Sequence, residues 1–139
     1  MGEALITRRG GGGGLKKVCD VTVTRADYPR LTINTNEITP YMVNDKLYRI
    51  EGVYTDSQKI HFITFYFSYS SKLKKYTTSA SSAGMGCIER STNYTTQITN
   101  GAGLNASWNN GTITLQTSNT QNHFWPAESS SFAMYEVEV

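Results

Sequence analysis

The sequence predicts an all-β fold: an antiparallel β-sandwich, jelly-roll-like or immunoglobulin-like in topology, preceded by a flexible Gly-rich N-terminal arm. Three observations carry this. Apolar and polar residues alternate with period two in segment after segment, turn residues recur at the spacing of sandwich strands, and no amphipathic helix with capping residues is present. The chain of 139 residues has the size of one domain. Two units follow, an arm over residues 1–14 and a sandwich domain over residues 15–139. No internal repeat is visible, which argues against a solenoid or propeller.

Residues 15–24 open the domain, with Val21 and Val23 on one face and Thr22 and Thr24 on the other. Asp27-Tyr28-Pro29-Arg30 turns the chain, and residues 31–34 resume the alternation until Asn34-Thr35-Asn36 and Pro40 break it. A further strand spans residues 46–55, and Asp56-Ser57-Gln58 makes a short hairpin turn into residues 59–69. That next segment, from Lys59 to Tyr69, has aromatic and β-branched side chains on both faces, as expected of a central strand buried on one side and largely covered on the other. Weaker strands are expected at residues 87–90 and 94–99. Asn110-Gly111, set between residues 104–108 and 112–115, is a strong hairpin signal. The chain closes on residues 132–139, where Ala133, Tyr135, Val137 and Val139 share one face and Glu136 and Glu138 form the solvated face of an edge strand.

Composition narrows the function. Charged residues make up 17% and hydrophobic ones 38%, so Ser, Thr and Asn supply much of the surface, as in extracellular or particle-borne β-proteins. A net charge of +2 is too small to predict nucleic-acid binding, which needs clustered Lys and Arg. Residues 1–75 carry 12 basic and 7 acidic side chains, whereas residues 76–139 carry one and four. This polarity favours head-to-tail assembly only if the two halves stay apart in the fold; intermingled sheets would cancel it. Cys19 and Cys87 are too few for a disulfide framework and are expected as reduced, buried thiols. No apolar stretch approaches the roughly 20 residues that span a bilayer, and the N-terminus lacks the apolar core of a secretory signal. Membrane insertion is not expected, and synthesis in the cytoplasm is.

No catalytic constellation emerges. His61 reads as a partly buried strand residue and His123 as a loop residue; neither has a Cys or carboxylate at metal-ligand spacing. No serine sits in a Gly-x-Ser-x-Gly elbow, and Cys87 after Gly84-Met85-Gly86 lacks a protease signature. The five glycines lack the Lys-Ser/Thr ending of a phosphate-binding loop. The chain is therefore expected to be neither an enzyme nor a binder of metals or cofactors. Trp108 with Asn110, and Trp125 with His123, offer the aromatic-plus-amide chemistry that stacks on and reads sugars, although tryptophans more often fill a core or its rim.

The most distinctive segment is the first. Ala4-Leu5-Ile6 is followed by Arg8-Arg9 and then by Gly10, Gly11, Gly12, Gly13 and Gly14. Five successive glycines form neither an autonomous helix nor a stable strand, so whatever holds Leu5 and Ile6 must lie outside the arm. The leader resembles the N-termini of small virion proteins of tailed bacteriophages and prophages, especially tail and tail-fibre proteins. That resemblance covers about a tenth of the chain. It implies a structural component of a virion, made in the bacterial host cytoplasm and placed at the tail, baseplate or fibre. Its arm (Leu5, Ile6, Arg8, Arg9 and Gly10 to Gly14) would dock into other phage structural proteins, with copies of the chain forming a homo-oligomer in the particle. A capsid decoration protein is the close alternative. A carbohydrate-binding module contacting the host cell wall is the other.

Overall fold

The structure is a computed structural model that describes residues 15–70, 75–78, 84–89, 98–100, 104–117 and 124–137. The arm, His123 and the first four residues of the strand expected at 94–99 lie outside these, as do Glu138 and Val139. The described residues form two antiparallel sheets, an all-β sandwich. The described residues include eleven strands: β1 (Leu15–Val21), β2 (Thr24–Asp27), β3 (Arg30–Asn34), β4 (Leu47–Asp56), β5 (Lys59–Ser70), β6 (Lys75–Thr78), β7 (Gly84–Glu89), β8 (Ile98–Asn100), β9 (Leu104–Asn109), β10 (Thr112–Thr117) and β11 (Ala127–Val137). The four-stranded sheet runs β9-β10-β3-β2. The seven-stranded sheet runs β1-β11-β4-β5-β7-β8, with β6 pairing the far end of β5.

The opening segment is two strands rather than one. Val21 stands opposite Phe132 of β11, while Thr24 stands opposite Thr32 of β3. Val21 and Val23 both stay buried across the corner. Alternation therefore continues while the hydrogen-bonding partner changes sheet, because the period records which side faces the core and not which ladder is made. Between β3 and β4 the chain crosses back through two single-turn 3-10 helices, Thr35–Glu37 and Thr39–Tyr41, the first capped by the Asn34 side chain accepting from the Asn36 amide.

β4 and β5 form the longest hairpin. Tyr48, Ile50 and Tyr54 of β4 and Ile63, Phe65 and Phe67 of β5 point inward against Leu31, Ile33, Ile113 and Leu115 of the other sheet. Gly52 lies opposite Phe132, and a Cβ there would come within 2.1 Å of the Ser131 carbonyl oxygen. No larger residue fits. Asn110 (φ 50°) and Gly111 (φ 82°) make the left-handed two-residue turn expected between β9 and β10.

The last strand departs from expectation in two ways. β11 begins at Ala127 and lies between β1 and β4, so it is an interior strand and not an edge. Its core face carries Phe132 and Met134, both buried; Glu136 lies opposite core-facing Tyr48 and pairs with Lys46 (3.3 Å) at the end of the sheet. Ala133, Tyr135 and Val137 do share a face, but it is the outer one. That face also carries Leu15, Leu47, Tyr66, Val53 and Phe62, and Phe62 is 40% exposed. The aromatic character on both sides of β5 is thus real, with only the inner side buried by the described residues. On β1, Cys19 is a free, half-buried thiol whose pKa burial pushes up.

Candidate functional site

Inward-facing residues near the β4–β5 turn include a polar group that sequence spacing did not reveal. Tyr54 lies directly opposite His61, and Asp56 follows Tyr54 on the same inward face, so the two-residue turn brings Asp56 diagonally against His61. His61 Nε2 lies 2.9 Å from Asp56 Oδ2, and neither side chain is exposed. Asp56 Oδ1 accepts from the backbone amides of Gln58 (2.8 Å) and Lys59 (2.7 Å), which shapes the turn. Oδ2 also accepts from the amide of Trp125 (3.0 Å). Burial alone would push the Asp56 carboxyl up; the His61 contact and these three amides outweigh it and hold the group below its ordinary range. A carboxylate only accepts, so Nε2 is the protonated nitrogen of His61.

An Asp–His pair is half of a nucleophilic triad, but this one is sealed. Phe124 and Tyr54 lie against the imidazole, with ring centroids 4.9 Å and 5.8 Å away. No substrate atom reaches a fully buried ring, so the pair acts as a structural hub. The expected reading of His61 as a partly buried strand residue understates its burial, which is complete. Tyr54 shares the environment: burial first, and then the Asp56 charge, push its phenol up to about 12. Among the described residues no group of three or more His, Cys, Asp or Glu side chains is placed to hold a metal ion, and no helix is long and apolar enough to cross a membrane.

Above the hub, the segment linking the two sheets is held through its backbone. The Phe124 amide donates to the Tyr28 carbonyl (2.7 Å) and the Phe124 carbonyl accepts from Arg25 Nε (2.7 Å). The Trp125 amide donates to Asp56, as noted, and the Trp125 carbonyl accepts from the Tyr54 hydroxyl. Four consecutive backbone groups are thus satisfied, two from the four-stranded sheet and its β2–β3 turn and two from β4. Phe124 is buried, whereas Trp125 is 36% exposed and its ring meets that of Tyr28, a residue 42% exposed, edge-on at 4.7 Å and 78°. The Arg25 guanidinium lies 5.5 Å from the centre of the Tyr28 ring.

Trp108 and Asn110 lie elsewhere. Trp108 packs against the core, and its indole N–H donates to Thr35 Oγ1 (3.1 Å); the Thr35 amide donates to the Gly111 carbonyl (2.9 Å). These residues sit at the hairpin end of β10, while the Thr117 amide at its other end donates to Pro29, beside Tyr28. About five residues of strand, roughly 17 Å, separate them. The two tryptophans therefore belong to opposite ends of the strand and do not share one corner. Tyr28, read from the sequence as a turn residue, and Arg25, between the expected first strand and that turn, are the residues that accompany Trp125. The Asp27-Tyr28-Pro29-Arg30 turn was the available signal.

The fold and this end of it define an antiparallel β-sandwich with a backbone-stapled aromatic corner. No protein-family model, curated protein or solved structure matches the chain.

Proposed function

We propose that the protein is a structural component of a tailed-phage virion, at the tail, baseplate or fibre, anchored through residues 1–14. The observation that carries this reading is the leader itself, Ala4-Leu5-Ile6 followed by Arg8-Arg9 and five glycines. Where the arm joins the domain adds support. It leads into Leu15 at the start of β1, the outermost strand of the seven-stranded sheet, whose second edge no other described strand pairs. Residues adjoining such a strand in sequence could add backbone hydrogen bonds to a neighbouring subunit, with Leu5 and Ile6 taken up in its apolar pockets and Arg8 and Arg9 against its acidic groups. Symmetry in a particle multiplies each weak contact.

Deletion of residues 2–12 tests the proposal. The expected result is an unchanged circular dichroism spectrum and melting temperature with loss of incorporation into particles. Normal incorporation of the shortened chain would overturn it.

A further inference from the structure

We infer that Tyr28, Trp125 and Arg25 form a saccharide-binding corner that takes a pyranose ring. The inference stands on the geometry at this end of the sandwich and not on the arm. Trp125 has its backbone held at both polar groups while its ring stays at the surface. A tryptophan whose role is packing is ordinarily turned inward, as Phe124 is one residue earlier. Here the sheets fix the main chain and leave the residue at the surface, so a ligand does not bear the cost of ordering the backbone. Tyr28 adds a second ring at nearly a right angle. Two perpendicular rings make a floor and a wall, which suits the apolar C–H face of a sugar.

Arg25 supplies the polar part. Its Nε–H is committed to the Phe124 carbonyl, which fixes the guanidinium beside Tyr28. The remaining N–H groups of a guanidinium suit ring hydroxyls or a sugar carboxylate. The adjoining turn is polar: Asp27, next to Tyr28 in the chain, is exposed and pairs with Arg30. A small aromatic spot rimmed by charge matches a sugar better than a protein partner, which needs about 800 Å² per side.

The test uses the full chain on an array of bacterial polysaccharides and oligosaccharides, with tryptophan fluorescence of any bound pair followed in a Trp108→Phe background so that Trp125 is the sole indole. Binding of a pyranoside, a shift in Trp125 emission, and weakening by roughly ten-fold or more in Trp125→Ala and in Tyr28→Ala support the inference. Both variants leave the four backbone hydrogen bonds in place, so their melting temperatures should stay within about 4 °C of the parent. An array without a bound saccharide overturns the inference, as does equal binding by parent and both variants. Loss of binding only alongside a melting temperature lowered well beyond that range also overturns it, because the rings would then be packing residues. Sugar binding should persist when residues 2–12 are deleted, so the two proposals fail separately.

Discussion

The two tryptophans are anchored in opposite ways. Trp108 is held by its side chain, which packs on the core and donates its indole N–H to Thr35, while its backbone belongs to an ordinary strand ladder. Trp125 is held by its backbone, bonded to Asp56 and Tyr54, while its ring is presented to solvent against Tyr28. One residue type thus serves stability at one end of the sandwich and presentation at the other. The lesson is that a tryptophan's role is read from which of its atoms are fixed, not from its neighbours in sequence.

The comparison is broken or sharpened most forcefully at Asp56. Asp56→Ala removes the acceptor for His61 and for the amides of Gln58, Lys59 and Trp125, leaving buried donors without partners. A loss of about 3–5 kcal/mol is expected in urea unfolding. Near-parental stability would mean that the staple beneath Trp125 contributes little. Trp108→Ala comes next, at about 2 kcal/mol, since a half-buried ring and its hydrogen bond to Thr35 are lost together. Tyr54→Phe removes only the hydroxyl bond to the Trp125 carbonyl and should cost about 1 kcal/mol. Trp125→Ala is expected to cost the least, under about 1 kcal/mol. A reversal of the order of the two tryptophan variants would overturn the contrast.

Titration sharpens the same point. The Asp56 pKa is lowered in the folded state, so its stabilisation is present above the unfolded carboxyl value of about 3.9 and is lost as pH falls from there through the folded value. Acid unfolding of Asp56→Asn should lack that part of the pH dependence. The Tyr54 pKa is raised from 10.0 to about 12, so its contribution is complete below pH 10 and is lost as pH rises through that interval. Ultraviolet titration should show a late-ionising tyrosine that disappears in Tyr54→Phe.

Much of the architecture was legible because it is local. The alternation at Val21 and Val23, the aromatic run from Ile60 to Phe67 and the Asn110-Gly111 turn each express a preference set within a few residues, and each reappears as a strand or hairpin. What was not legible depends on partners distant in the chain. Alternation could not show the ladder passing from β11 to β3 between Val21 and Thr24, nor that β11 is flanked on both sides. The Asp56–His61 pair lies between these cases. Five residues is not a metal-ligand spacing, yet a two-residue turn with Tyr54 opposite His61 places both groups on one face, a register that the Asp56-Ser57-Gln58 turn already suggested. At the aromatic corner, Trp125 was visible as a candidate, but Tyr28 and Arg25 reach it from about a hundred residues away.

The pairing of β1 with β11 has a consequence for the order of events in the cell. Among the described strands β1 pairs only with β11 in its sheet, so its ladder forms only after residues 127–137 have been synthesised. A truncated chain lacking β11 cannot seat its first strand. β11 is thus the clasp of this sheet, closing it onto β1 on one side and β4 on the other.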